Sequence, residues 1–214
     1  MRRILDVNVP KGEVAFSLLN TYSTIVVKTD SLTAIFDPVE IELYEGDVID
    51  VIIITHEHSD HFDQDLVIDI HKQKKIPVLT TPFLAQRLDE LGEYVKPLKV
   101  GDSFGLKDTT FYAEYSNHSA NQPLSFIICT KVANIYHPND SRPFHEMSLI
   151  RRKYSPDLMI YTGNSLGEIP EIVDMIRPRT IVSYSDPRFK DMDIPGVEIK
   201  TLNHGEVYSY SSSF

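Results

Sequence analysis

Val51-Ile52-Ile53-Ile54-Thr55-His56-Glu57-His58-Ser59-Asp60-His61 decides how this chain is read. The apolar run 51–54, rich in β-branched residues, reads as a buried strand. Thr55 is the hinge, and three imidazoles and a carboxylate follow it. Side chains two apart on extended backbone point the same way, so His56 and His58 can meet one cation from one side. Asp60 and His61 come after the chain begins to turn and can serve a second ion. Two metals sharing such a segment lie about 3.5–4 Å apart in two-metal sites generally. Imidazole nitrogen binds zinc at about 2.0–2.1 Å and also suits Fe, Cu or Ni. A lone His-x-His pair carries little information. Three of the chain's eight histidines and an Asp within six positions, directly after a strand, carry far more.

The chain has 214 residues, 42% hydrophobic and 24% charged, which suits a soluble globular protein of one domain, 1–214. No apolar stretch approaches the roughly 20 residues of a membrane helix, and Met1-Arg2-Arg3 opens no long apolar leader. Cys129, the one cysteine, has no internal disulfide partner and reads as a small core residue. A cytoplasmic location is expected. The formal charge is −10, and the small basic clusters Lys72-Lys74-Lys75 and Arg151-Arg152-Lys153 read as helix ends rather than a nucleic-acid stripe. A small-molecule substrate is expected, with no long nucleic acid.

Strand patterns at 13–20, 23–28 and 32–36 precede the metal strand. A helix is predicted over 65–74, a short strand over 78–80, and a second helix over 83–91, with Thr81 as N-cap, Pro82 at the first position and Gly92 as the stop. Further strands are predicted at 94–98, 103–106, 109–115, 124–130, 134–136, 158–161, 180–184, 197–202 and 207–210, with helices near 145–153 and 168–176. Strands outnumber helices and both are spread along the chain, an α/β pattern that fits two sheets with helices on the outer faces.

The segment His56-Glu57-His58-Ser59-Asp60-His61 resembles the H-x-H-x-D-H signature of the metallo-β-lactamase superfamily. That resemblance implies an αββα sandwich of two mixed β-sheets flanked by helices, with up to two metals at the edge between the sheets. It implies a third ligand to the first ion at His118, in Tyr115-Ser116-Asn117-His118-Ser119, and a carboxylate bridging both ions at Asp140, in Tyr136-His137-Pro138-Asn139-Asp140-Ser141. Asn139 stands where the family has Gly, and Asn tolerates the left-handed conformation that Gly would supply. His137 reads as structural or as a support for a ligand. The family's last His has no counterpart in order. Ser185 and Asp186 fall nearest its place, and His204, in Asn203-His204-Gly205-Glu206, is the other candidate.

The layout most resembles the small metal-dependent hydrolases that include ascorbate-6-phosphate lactonase. The implied activity is hydrolysis of a small ester, lactone or phosphoester by metal-activated water, with Asp60 orienting that water. Zinc, one or two ions, is the expected cofactor. Flavodiiron members of the superfamily carry Glu at the place of His58, whereas here the Glu is Glu57, whose side chain should point away. Manganese and iron share ligand types with zinc and remain compatible. No G-x-S-x-G elbow supports serine catalysis. Two alternatives stand beside the hydrolase: a phosphodiesterase or nuclease acting on nucleotides, and a non-catalytic metal-binding protein that keeps the fold.

Overall fold

The computed structural model describes residues 3–163, 166–184 and 192–211. Fourteen strands are found among them, arranged as two seven-stranded mixed sheets. The first third supplies β1 (Glu13–Leu18), β2 (Ile25–Lys28), β3 (Thr33–Phe36) and β4 (Val51–Ile53). Helix α1 (Gln64–Lys74) leads to β5 (Val78–Thr80), and a short α2 (Pro82–Ala85) leads to β6 (Val95–Pro97). The second sheet begins with β7 (Ser103–Leu106), β8 (Thr109–Tyr115), β9 (Leu124–Cys129) and β10 (Asn134–His137). It continues through α3 (Met147–Tyr154), β11 (Leu158–Tyr161), α4 (Ile169–Ile176), β12 (Thr180–Tyr184) and β13 (Glu198–Leu202). The last strand, β14 (Tyr208–Ser211), returns to the first sheet beside β1.

The strand orders are β14-β1-β2-β3-β4-β5-β6 and β13-β12-β11-β10-β9-β8-β7. In each sheet the neighbours up to the middle are antiparallel on one side and parallel on the other. The alternation of side chains explains the layers. Phe16, Val27, Phe36, Val51 and Ile53 of the first sheet meet Phe111, Phe126, Ile128, Ile135 and Ile160 of the second in a common core. Ala15, Val26, Ile35 and Ile52 face the other way, onto Val67, Ile68 and Ile70 of α1. Ile127, Tyr136, Met159 and Ile181 do the same toward Ile150 of α3 and Ile172 and Ile176 of α4. The αββα sandwich is therefore the fold of this chain.

Strand β4 is buried on both faces, as a central strand between parallel neighbours should be. Val51, Ile52 and Ile53 are 0% exposed, which contributes roughly 5–9 kcal/mol as an upper estimate. The backbone that delivers Thr55 and His56 is thus rigidly held.

Two expectations are corrected. The helix predicted over 83–91 ends at Ala85, and a 3₁₀ segment, Asp89–Tyr94, follows it. Gly92 lies inside that segment at φ +58°, bending the chain there instead of closing the helix. Cys129 is only half-buried at the end of β9, although burial still raises its thiol pKa. Ahead of the first sheet, residues 4–6 form a 3₁₀ turn whose Ile4 and Leu5 are buried against it. Among the described residues no helix is long and apolar enough to cross a membrane.

Candidate metal centre

The ends of β4, β8 and β10 deliver the histidines and the carboxylate to one edge of the sandwich. After Ile54 and Thr55 the chain turns, with the amides of His61 and Phe62 both donating to the carbonyl of His58 at 2.9 Å. Asp63 then caps α1 by accepting from the Leu66 amide at 3.0 Å. The signature therefore spans a strand end, a tight turn and a helix start. His118 follows β8 on a loop tied down from two sides. The Asn117 amide donates to Ser141 Oγ at 2.9 Å and the Arg142 amide to the Asn117 carbonyl at 3.0 Å. Glu57, facing away from the histidines, accepts from the backbone and side-chain nitrogens of Asn121 at 2.8 and 2.7 Å.

The nitrogens of His56, His58 and His118 converge. His58 Nδ1 lies 3.1 Å from His56 Nε2 and 3.1 Å from His118 Nε2. One ring nitrogen holds either a proton or a lone pair, so His58 Nδ1 cannot bond productively to both neighbours. A single cation satisfies all three lone pairs. Tetrahedral ligands at about 2.0–2.1 Å stand about 3.3–3.4 Å apart, close to the separations seen, and the donor set suits zinc. A second group joins His56, His61 and Asp140, whose ligand atoms lie within 4.8 Å of one another. His61 Nε2 is 3.3 Å from Asp140 Oδ2, and His118 Nε2 is 3.9 Å from the same oxygen. Asp140 thus stands between the two groups, where a bridging ligand would be.

Electrostatics follow from burial and neighbours. Burial, then the nearby His61 and His118, push His56 down to about 2. Burial also lowers His118. Burial opposes charge on His61 as well, but its hydrogen bonds to Asp140 and Asp37 overcome that and raise it to about 10. Asp140 is held below the usual carboxylate range because the His61 contact outweighs burial. In the metal-free protein a proton on His61 therefore supplies a positive charge beside Asp140.

Asp60 is 47% exposed and its carboxylate lies 3.9 Å from His61 Nε2, at the rim and outside both converging groups. The structure does not bring His204 to them either. It is exposed in the turn after β13 and lines a separate cavity with Arg3, Leu19 and Glu40. Ser185 and Asp186, the other candidates for the last ligand, lie outside the described residues. His137 is buried, with Nδ1 donating to the Ile160 carbonyl at 3.1 Å and its ring edge-on to Phe36.

Sequence reasoning missed Asp37. It follows β3, the parallel neighbour of β4, and is 0% exposed. Its Oδ1 accepts from the Thr55 amide at 2.8 Å, and its Oδ2 from Thr55 Oγ1 at 2.7 Å and from His61 Nδ1 at 2.8 Å. The available signal was a carboxylate closing an apolar strand, in Phe36-Asp37-Pro38. The side chain of Asn139 was also missed. At φ +58° its backbone takes the left-handed conformation, and its Nδ2 donates to Thr55 Oγ1 at 2.6 Å and lies 3.0 Å from His56 Nδ1. Thr55 Oγ1, which gives its proton to Asp37, is left as the acceptor for His56 Nδ1–H at 3.1 Å. That arrangement leaves His56 Nε2 free as a ligand.

A family model described as the beta-lactamase superfamily domain matches residues 18–179. A UPF0173 metal-dependent hydrolase from Pyrobaculum calidifontis is 31% identical over 142 residues, 61% of this chain and 62% of that relative. The match thus spans under two-thirds of the relative's length. Among solved structures, Igni18, a metallo hydrolase from the archaeon Ignicoccus hospitalis, has a TM-score of 0.80 at 18% identity, covering 94% of this chain and 100% of that one. CmlA, a diiron β-hydroxylase from Streptomyces venezuelae, has a TM-score of 0.71 at 14% identity, covering 95% of this chain and 55% of that one. At such identities these two speak to fold alone.

Proposed function

We propose, from the premise that this chain belongs to the beta-lactamase superfamily, that it is a metal-dependent hydrolase acting on a small ester, lactone or phosphoester. One observation carries the reading: three imidazole nitrogens from positions 56, 58 and 118 meet at 3.1 Å contacts that a shared cation would satisfy together. Zinc, one or two ions, is the cofactor we favour, because the first donor set is wholly imidazole. His56, His58 and His118 would hold the first ion. His61 and Asp140 would hold the second, with Asp60 reaching in from the rim.

A cation bound there supplies Lewis acidity and lowers the pKa of water from 15.7 to about 7. The protein's own residues do the rest. Asp37 fixes the His61 ring through Nδ1, Thr55 Oγ1 fixes His56, and Asn139 Nδ2 in turn holds Thr55 Oγ1. Asp60, half in solvent, orients the attacking water and accepts its proton. The water oxygen joins the acyl or phosphoryl centre, the bond to the leaving oxygen breaks, and that oxygen departs with a proton.

The test is metal analysis of the purified protein and of His58→Ala, paired with a panel of esters, lactones and phosphodiesters. Loss of the first-position metal together with turnover is expected in the variant. Normal metal content in His58→Ala removes the ligand assignment. A metal-loaded wild type that turns over nothing in the panel removes the hydrolase.

A further inference from the structure

Pro82, Leu98, Val100, Tyr115, Pro123 and Leu124 enclose a cavity of about 300 Å³, with Lys99 and Gln122 completing its wall. That volume is at the lower end of small-molecule sites, roughly 300–1,000 Å³. Val100 and Tyr115 are 53% and 49% exposed, so apolar surface faces water here. Scattered exposed apolar residues mean little, but here Val100 and Tyr115 line one cavity whose other walls are mostly apolar.

The backbone ties this cavity to the imidazole cluster. The Leu124 amide donates to the Thr55 carbonyl at 3.1 Å, one residue before His56. Tyr115 ends β8 three residues before His118. Asn121, beside Gln122, is the residue that Glu57 grips. Pro82 opens the helix after β5, the parallel neighbour of β4. The loop between β8 and β9 that presents His118 thus also supplies one wall of the cavity. No carboxylate lines it, and the exposed Lys99 ammonium has no ion-pair partner among the described residues.

We infer that this cavity takes the apolar half of the substrate, an acyl chain or an aromatic ring, with a negative charge carried beside it and met by Lys99. The scissile bond then lies at the imidazole cluster, so the inference rests on the hydrolase reading of that centre. The charge at Lys99 separates this occupant from a neutral lipid, and the small volume separates it from a peptide.

The probe is 8-anilinonaphthalene-1-sulfonate, an aromatic anion, with the uncharged N-phenyl-1-naphthylamine as its counterpart. Fluorescence titration of the metal-loaded protein is expected to show binding of both. Val100→Asp is expected to weaken both at least tenfold. Lys99→Gln is expected to weaken only the sulfonate, by several-fold. Both positions are exposed, and thermal melts of the variants control for folding. A second readout is kcat/KM across p-nitrophenyl esters of increasing acyl length. A rise of about fourfold per methylene, the gain for burying one, is expected in wild type and a flattened rise in Val100→Asp. Probe affinities and chain-length dependence unchanged in both variants overturn the cavity while leaving the hydrolase standing. Variant-sensitive probe binding without turnover of any ester, lactone or phosphodiester leaves the cavity standing and overturns the hydrolase.

Discussion

Asp37 and His61, 24 residues apart in the chain, meet through a buried 2.8 Å contact between Oδ2 and Nδ1. That contact turns the other ring nitrogen of His61 toward Asp140. A carboxylate behind a metal-binding imidazole fixes its tautomer and raises its basicity, and losing such support typically lowers metal affinity 10–100-fold.

Asp37→Asn keeps the volume and removes the charge. The expected outcome is a 10–100-fold weaker second metal step, with the first step at His56, His58 and His118 little changed. Zinc titration against a competing chelator reads both steps, and two unaltered steps would rule out the supporting role.

Asn139 separates backbone from side chain. At φ +58°, Asn139→Gly keeps the turn and deletes only the bond to Thr55 and the contact with His56. Weaker metal binding with nearly normal stability is expected. Asn139→Ala adds a left-handed penalty of about 1–2 kcal/mol, visible in urea unfolding. Equal metal affinity in the Gly variant and wild type would leave Asn139 as a turn residue alone.

The metal-free protein should be most stable near pH 6.5, because two buried histidines shift in opposite directions. Burial and nearby imidazoles hold His56 down to about 2. Its contribution is present above the ordinary value of 6.5 and is lost as pH falls toward 2. His61 is raised to about 10 by Asp140 and Asp37 against the pull of burial. Its contribution is complete below 6.5 and is lost as pH rises through 10. Thermal melts of chelator-treated protein from pH 4 to 10 should trace a maximum. Saturating zinc should abolish the alkaline limb, since a cation then takes the place of the proton. An alkaline limb identical with and without zinc would mean that His61 meets no metal.

The parts legible in the sequence were those written in local geometry. Run 51–54 announced its strand through β-branched side chains, and the spacing of His56 and His58 announced a shared direction. The Thr81-Pro82 helix start was equally local, and the structure keeps it, with Thr81 Oγ1 accepting from the Leu84 amide. What followed Ala85 was not legible, because a Gly at positive φ can end a helix or bend a tighter one, and nothing local to Gly92 distinguishes the two.

The chain by itself determined that imidazoles stand at the exit of a buried strand and that two layers of sheet would cover it, since period-two patterns are properties of neighbouring residues. Only the tertiary structure decided who meets them. Asp37 reaches His61 because β3 lies beside β4, and Asn139 reaches Thr55 across 84 positions because β10 ends at the same edge. It also left His204 facing another cavity. Strand order sets these meetings, and no local pattern encodes strand order: a hydrogen bond between residues far apart in sequence depends on where the intervening chain is packed.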